Sequence, residues 1–343
     1  MQLYYASLSD VGNVRTHNED FLFSGKVKNE GYLFIVADGM GGHSSGEVAS
    51  YKAVAGFVRS MRKGVDKNIT EAMRRIVLDI NDELIIEGKK SAKEKGMGTT
   101  LSALYVTGDN GYIAHVGDSR IYRYANSQNG DTSFVQLTED HSLVGRLLKD
   151  GFITPDEAHT HPKRNVLYQS VGMKKGIEVQ AFGPFTIKKG QKFLLCSDGL
   201  NSELRDFEIK EFLEFDSPRQ TVQGLIERAK QGIASDNITV IVVSTELKDT
   251  DEITQPVDTV KVPVPIKVKM KLRRKKKKLL ILILVGVIVL LLAVMIYLLV
   301  INELSSSSDD DFTLKSDSMV SQIVDSSIEM DINYFYRRFF LRS

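Results

Sequence analysis

The first 247 residues carry two hydrophobic patterns, one typical of strands and one typical of helices. Five runs rich in Val, Ile, Leu and Tyr have the length of strands. They span 31–37, 99–106, 111–116, 193–196 and 238–243. The dipeptide Asn110-Gly111, between the second and third runs, is a hairpin signal. Strands paired through hairpins, with helices between them, predict an α+β fold of antiparallel sheets covered by helices rather than a doubly wound parallel sheet.

Two helices are predicted from apolar residues that recur every three or four positions. The first covers 70–87, with one apolar face made of Met73, Ile76, Ile80 and Leu84. The second is predicted to begin at Ser217-Pro218, because serine is a favoured N-cap and proline is a favoured first helical residue. It is predicted to end near Gly232.

A third pattern is an unbroken apolar run near the C-terminus. Residues 279–301 are 23 residues without a charge, and at ~1.5 Å per residue they can cross a hydrocarbon core of roughly 30 Å. A buried core helix is the alternative, but such helices are usually shorter. Ten Lys and Arg residues lie between positions 261 and 278. By the positive-inside rule, the run predicts a single-pass protein of the cell membrane with its N-terminal domain in the cytoplasm.

These patterns divide the chain into four predicted parts. Residues 1–247 form a globular domain, and 248–278 form a Pro-containing linker that ends in a basic juxtamembrane segment. Residues 279–301 form the transmembrane helix, and 302–343 form an extracytoplasmic tail. The tail opens with a Ser/Asp tract that predicts disorder. It closes with an aromatic and basic patch, so contact with a membrane surface or a partner stays open.

Composition narrows the chemistry of the globular domain. The formal net charge is +1, and the basic residues are concentrated before the apolar run, so nothing favours a nucleic-acid-binding domain. The single cysteine, Cys196, excludes an intrachain disulfide and a multi-cysteine zinc site, and its apolar surroundings favour a packed thiol. The N-terminus lacks a basic stretch followed by an apolar segment, so no cleavable secretory signal is predicted.

A local pattern recurs in which an apolar run leads directly into an aspartate and a turn. It places Asp38, Asp118 and Asp198 after predicted strands, and Asp236 lies just before another. Strand ends meet at one edge of a sheet, so we expect these carboxylates to lie close together. Clustered carboxylates repel one another and are costly to bury unless a cation offsets their charge.

The donor atoms indicate which cation. Oxygen ligands favour Mg²⁺ or Mn²⁺, and the six histidines are scattered, which argues against zinc. Any single aspartate of this kind is more simply explained as a solvated turn residue or a helix cap. The repetition at four positions favours a metal site.

Six short motifs occur along the first domain. They are Arg15-Thr16-His17-Asn18-Glu19-Asp20, Asp38-Gly39-Met40-Gly41-Gly42-His43, Gly98-Thr99-Thr100, Gly117-Asp118-Ser119-Arg120, Ser197-Asp198-Gly199-Leu200 and Asp236-Asn237-Ile238-Thr239. In order and approximate spacing they resemble the motifs of the metal-dependent protein phosphatase family, protein phosphatase 2C, in its bacterial form. The resemblance covers about 1–245, and six motifs in the correct order are specific where one would be weak.

The resemblance implies a sandwich of two antiparallel β-sheets flanked by α-helices, with two metal ions between the sheets and a possible third. Asp38 corresponds to the carboxylate that bridges the two ions, and Gly39 to a backbone carbonyl ligand. Asp198 and Asp236 correspond to the remaining ligands of the first ion. Asp118 corresponds to the ligand of the weaker third ion.

Further positions follow from the same resemblance. Glu19 and Asp20 correspond to an acidic pair that acts on the second metal largely through water. Arg15 corresponds to the arginine that clamps the substrate phosphate, so Arg15 and Asp38 are the predicted catalytic residues. The segment 147–167 resembles the variable flap beside the site. Met40 replaces a histidine that some members carry as a proposed general acid.

The function implied is dephosphorylation of phosphoserine and phosphothreonine in proteins by a binuclear metal-activated water, at the cytoplasmic face of a membrane. The implied partners are phosphoproteins, with a membrane serine/threonine kinase and its substrates as further candidates. No Cys-x5-Arg motif is present, which argues against a cysteine-dependent phosphatase. The alternatives are a catalytically silent phosphatase-fold scaffold or signal receiver, and a receptor whose outer tail senses a signal.

Overall fold

The computed structural model describes residues 1–27, 31–41, 45–90, 96–126, 132–246 and 294–299. All of these except the last range belong to the first of two compact units, which spans Met1–Lys271. The second unit contributes one described segment, 294–299, which is helical. The linker 248–278 and the tail 302–343 lie outside the described residues.

Ten of the strands form two five-stranded sheets in which every neighbouring pair is antiparallel. In spatial order, the first sheet contains β1 (Tyr4–Asp10), β12 (Ile238–Ser244), β11 (Gln191–Cys196), β8 (Arg120–Asn126) and β9 (Thr132–Gln136). The second contains β10 (Gln180–Thr186), β7 (Asn110–Val116), β6 (Leu101–Thr107), β3 (Tyr32–Ala37) and β2 (Phe21–Lys26). A short pair joins β4 (Gly39–Met40) to β5 (Gly98–Thr99).

The described helices are α1 (Ser45–Lys63), α2 (Ile69–Lys90), α3 (Leu143–Lys149), α4 (Pro155–Thr160), α5 (Asp198–Asn201), α6 (Asp206–Phe212) and α7 (Pro218–Lys230). The three longest, α1, α2 and α7, cover the outer faces of the two sheets. Helices α1 and α2 pack in one apolar cluster with the second sheet, and α7 packs in another with the first. A third cluster lies between the sheets. The predicted α+β sandwich of antiparallel sheets with flanking helices is confirmed.

The central strands read as continuous apolar runs because both of their faces are buried. In β3, Leu33 and Ile35 pack under α1 and α2, whereas Phe34 and Val36 pack between the sheets. Strand β12 divides its residues in the same way between α7 and the other sheet. Each such side chain contributes about 1.5–3 kcal/mol by leaving water, so these strands fix the positions of the residues that follow or precede them.

Both predicted helices are present. Met73, Ile76, Ile80 and Leu84 are all buried on one face of α2. Helix α7 begins as predicted, with the Ser217 hydroxyl accepting a hydrogen bond from the backbone N–H of Gln220 and Pro218 in the first position. Its last helical residue is Lys230 and its C-cap is Gln231, so the helix ends next to Gly232, as predicted.

The predicted transmembrane segment falls almost entirely outside the described residues. Of 279–301 the structure describes only 294–299, a helical stretch whose side chains are exposed. Within the parts of the chain that the structure describes, there is no helix of the length and apolar character needed to cross a membrane. The span itself stays a prediction.

Candidate metal and phosphate site

The ends of four central strands place four aspartates at one edge of the sandwich. Asp38 follows β3, Asp118 follows β7, Asp198 follows β11 and Asp236 precedes β12. The charges of the other three all act on Asp38, and Asp38 and Asp198 are within hydrogen-bonding contact of each other. The expected convergence of these carboxylates is therefore present in the fold.

The cluster carries more negative charge than its surroundings offset. Loss of hydration, followed by the charges of Asp20 and Asp198, raises the pKa of Asp38 well above its usual range. Loss of hydration is also the main cause of the raised pKa of Asp198, with Asp236 adding to it, and of the strongly raised pKa of Asp118. Such shifts mark carboxylates held together at an energetic cost, which is common where a function requires it.

One oxygen in the cluster lacks any partner. The Oδ1 atom of Asp198 is buried and accepts no hydrogen bond from the described residues. Buried polar atoms are nearly always satisfied, so an exception needs an explanation such as a missing ion. An oxygen-only donor set with one bare carboxylate oxygen fits a hard divalent cation, Mg²⁺ or Mn²⁺.

The carboxylates do not yet form a closed cage. Among the described residues, no three His, Cys, Asp or Glu side chains already stand where they could together hold a metal ion. Arg15 offsets part of the negative charge of this cluster. Its Nη2 atom donates to Oδ2 of Asp236 at 2.9 Å, and its side chain is 49% exposed.

Hydroxyl groups of Thr99 and Thr100 hold the loop after β3. The sequence patterns alone assign no role to these hydroxyl groups. The N–H of Asp38 donates to Oγ1 of Thr100 at 2.8 Å, and the Oγ1 hydroxyl of Thr99 donates to the carbonyl oxygen of Asp38 at 2.8 Å. Thr100 Oγ1 also lies 2.6 Å from the Ser119 hydroxyl, next to Asp118. These bonds tie two of the four aspartates to one scaffold.

Gly39 is predicted to act through its backbone carbonyl, and its surroundings require a glycine. A Cβ atom at position 39 would lie 2.3 Å from the carbonyl oxygen of Gly46 and 2.5 Å from that of Glu19. Any larger residue would push the β4 backbone away from the start of α1. The close packing leaves only main-chain atoms of Gly39 available to a ligand.

Glu19 and Asp20 lie in different environments. Asp20 is buried, and its Oδ2 accepts a hydrogen bond from the Ser197 hydroxyl at 2.7 Å. Burial raises the pKa of Asp20 to about 8, against the lowering effect of hydrogen bonds from Thr239 and Ser197. Glu19 is only partly buried, and desolvation raises its pKa while nearby Arg15 lowers it. Asp20 thus bonds Ser197, the residue before Asp198, whereas Glu19 interacts electrostatically with Arg15.

The predicted flap is attached beside Asp118. The flap, 147–167, contains the end of α3 and all of α4, and Tyr168 follows it directly. The N–H of Tyr168 donates to the carbonyl oxygen of His141 at 3.0 Å. The N–H of His141 in turn donates to the carbonyl oxygen of Gly117 at 2.7 Å. Phe152, in the first third of the flap, is 74% exposed. The flap is therefore connected through His141 to Gly117, the residue before Asp118, and it exposes the apolar side chain of Phe152 to solvent.

These features are typical of a metal-dependent hydrolase of anionic substrates. Carboxylates cluster at the strand ends of a two-sheet sandwich, and a half-exposed arginine and a flap lie beside them. Residues 13–231 match the family described as Protein phosphatase 2C. The chain belongs to this family.

Known relatives and solved structures agree. The chain is 35% identical over 247 residues to protein phosphatase PhpP of Streptococcus pneumoniae, covering 71% of this chain and 98% of PhpP. It resembles the crystal structure of serine/threonine phosphatase Stp1 from Staphylococcus aureus with a TM-score of 0.65 and 33% identity, over 72% of this chain and 96% of Stp1.

A third likeness bears on the metal. The crystal structure of the catalytic domain of serine/threonine protein phosphatase PstP contains two manganese ions. It matches this chain with a TM-score of 0.62 and 32% identity, over 71% of this chain and 97% of that domain. A PstP relative matched by sequence comes from Mycobacterium tuberculosis. The predicted enzyme class, a metal-dependent protein serine/threonine phosphatase, and the predicted Mn²⁺ or Mg²⁺ cofactor are confirmed. The assignment of individual ligands stays a prediction.

Proposed function

We propose that the chain removes phosphate from phosphoserine and phosphothreonine in proteins at the cytoplasmic face of a membrane. The single observation that carries the chemistry is the clustered carboxylates with the bare, buried Oδ1 atom of Asp198. The sequence also retains Asp38, Asp198 and Asp236, which argues against a silent scaffold.

The residues have separate tasks in this proposal. Asp38 would bridge two ions, with the Gly39 carbonyl and the Asp198 and Asp236 carboxylates completing the shell of the first. Glu19 and Asp20 would act on the second, and Asp118 would hold a third. When bound, these ions supply an activated water and offset charge on the phosphate.

Arg15 would bind the substrate phosphate. Its guanidinium pairs with Asp236, a proposed metal ligand, and its side chain is 49% exposed, so Arg15 lies beside the proposed metal site and is accessible to a substrate. Two parallel N–H···O bonds would orient the phosphate. Arg15 would thus hold the substrate phosphate next to the carboxylates that bind the metal ions.

The activity test uses the full-length protein purified in detergent. Peptides of one sequence carrying phosphoserine, phosphothreonine or phosphotyrosine are each incubated with and without Mn²⁺. We expect phosphate release from the first two, only with the metal. Absence of release from every peptide would favour the silent scaffold, and release from phosphotyrosine alone would refute the substrate class.

The membrane location rests on 279–301 and the basic residues before it. Cys196 is fully buried, so a new surface cysteine can be labelled without background. In intact cells, Ser343→Cys should react with an impermeant thiol reagent, while Lys67→Cys on the exposed surface of the domain should not. The reverse pattern would refute the orientation. It would also remove the reason for proposing a membrane kinase as partner.

A further inference from the structure

Asn237 makes three hydrogen bonds to the loop that carries Arg15. Its Nδ2 atom donates to the carbonyl oxygens of Val11 at 2.9 Å and His17 at 3.0 Å, and its Oδ1 accepts from the N–H of Glu19 at 2.8 Å. The side chain is only 3% exposed. Both amide hydrogens and the amide oxygen thus form hydrogen bonds to a single loop, at positions before and after Arg15.

This loop has little structure of its own. Residues 11–19 connect β1 to β2 without forming a helix or a strand, so their position depends on bonds to neighbouring segments. The N–H of Asn13 contributes one by donating to the carbonyl oxygen of Ala234 at 2.9 Å. Gly12 packs so closely that a Cβ there would lie 2.2 Å from the carbonyl oxygen of Asp236. The loop is therefore seated on the segment that leads into β12.

We propose that Asn237 is a positioning residue that holds the 11–19 loop in register with Asp236, so that Arg15 is presented to the substrate phosphate. Asn237 and Asp236 are consecutive, and the Arg15 guanidinium lies 2.9 Å from Asp236. One dipeptide thus carries a proposed metal ligand and the anchor of the phosphate clamp. The inference rests on the proposed role of Arg15.

The side-chain amide is matched to this task. Two donors and one acceptor in a single rigid plane meet two carbonyl oxygens and one N–H. Alanine would leave all three loop groups without their partner, and aspartate would lose both donations and add a charge beside the carboxylate cluster. Replacement should therefore free the loop before it disturbs the sheet, because Ile238 and the rest of β12 stay packed in the core.

A double-mutant cycle in the full-length Mn²⁺-loaded protein tests the proposal. Asn237→Ala should raise KM for a phosphoserine peptide about tenfold with a smaller change in kcat. In an Arg15→Ala background the same change should cost less than about twofold, because the clamp it positions is already gone. Asn81→Ala is the matched control, since Asn81 is equally buried and its side chain also bonds two backbone groups of another loop, at Gly172 and Lys174.

The second readout does not involve activity. In the metal-free protein, limited trypsin digestion should cleave after Arg15 at least about tenfold faster in Asn237→Ala than in wild type, because the released loop is accessible. Cleavage after Lys163, in an exposed segment of the flap, serves as the internal reference. Asn81→Ala should leave the ratio of the two rates unchanged.

Each outcome decides the matter. A normal kcat/KM in Arg15→Ala refutes both the clamp and this inference. Loss in Arg15→Ala together with an additive effect of Asn237→Ala, or an unchanged cleavage ratio, overturns the inference alone. If Asn237→Ala does not fold, Asn13→Ala replaces it in both assays, because the exposed Nδ2 of Asn13 donates to the Lys230 carbonyl oxygen at 2.9 Å. It should shift KM and the ratio in the same direction by a smaller factor, and no shift would overturn the proposal.

Discussion

The strand-end carboxylates and the Arg15 loop belong to one site but are held in different ways. Asp38, Asp118, Asp198 and Asp236 adjoin strands buried on both faces, so backbone ladders and core packing place them. The 11–19 loop has no ladder and relies on the side chains of Asn237 and Asn13. We call the first part the rigid half, because strand pairing and core packing hold it, and the second the adjustable half, because side-chain hydrogen bonds hold it. Changes in the two halves should have different kinetic signatures.

The largest effect is expected from the rigid half. Replacing Asp38, Asp198 or Asp236 with asparagine removes negative charge where the metal must bind and should lower kcat at least ~10²-fold, a barrier increase of roughly 3 kcal/mol. Steady-state phosphopeptide turnover with saturating Mn²⁺ measures this. Asp79→Asn on the exposed face of α2 is the control. Normal turnover in Asp198→Asn or Asp236→Asn would contradict the two-metal mechanism.

The adjustable half should respond mainly in KM. Arg15→Lys keeps the charge but loses the two-pronged hydrogen bond to phosphate, so we expect KM to rise about tenfold with kcat less affected. Arg15→Ala should be worse. Arg59→Lys, at an exposed position of α1, should have no effect. Wild-type kcat/KM in both Arg15 variants would make Arg15 an ordinary surface residue.

A smaller effect is expected at Asp118, beside the flap. Asp118→Asn should lower turnover of phosphoproteins by a few-fold to tenfold, because a third, weaker ion is lost while the two main ions remain. The measurement combines metal stoichiometry, thermal midpoint and turnover on one preparation. Loss of the two tightly bound ions in Asp118→Asn would show that the aspartate belongs to the main site instead.

The smallest effect concerns the stability of the metal-free protein. The folded-state pKa values of Asp20, about 8, and of Asp38 lie above their ordinary value, so the folded form binds protons more tightly than the unfolded form. This stabilisation is complete below pH ~4 and is lost as the pH rises towards about 8. With chelator present, the thermal midpoint should fall by several degrees between pH 5 and pH 8.

Two comparisons sharpen the stability test. Asp20→Asn should reduce the slope of midpoint against pH, because one of the groups with a raised pKa no longer titrates. Saturating Mn²⁺ should stabilise the protein most at the high end of the range, where the carboxylates are charged and bind the cation. A metal-free midpoint that rises from pH 5 to pH 8 would contradict the assigned direction of these pKa shifts.

The sequence predicts the rigid half well because its signals are local. An apolar run followed by an aspartate and a turn is readable within a few residues, and α2 and α7 follow from periodicity and a Ser-Pro start. The thiol of Cys196 is packed as expected, and burial raises its pKa to about 12. Strands at or near the sheet edges are harder to predict, because β1 is only partly buried along its length and lacks a continuous apolar run.

The adjustable half is not readable in this way because its contacts are distant in sequence. Asn237 bonds groups more than 200 positions away, and Ser197 reaches Asp20 across 177 positions. Their neighbours in the motifs are recognisable from the family resemblance, but the hydrogen bonds that give Asn237, Ser197 and Thr100 their tasks appear only when the sheets are assembled.

The most direct test of the central claim follows Mn²⁺ binding and phosphate release in the same samples of full-length protein. Metal-free protein is titrated with Mn²⁺, and bound metal is measured beside turnover of a phosphoserine peptide. The account predicts no release without metal and a rate that rises to a plateau as two ions bind per chain. Full turnover without bound metal, or two bound ions with no phosphate release, would contradict it.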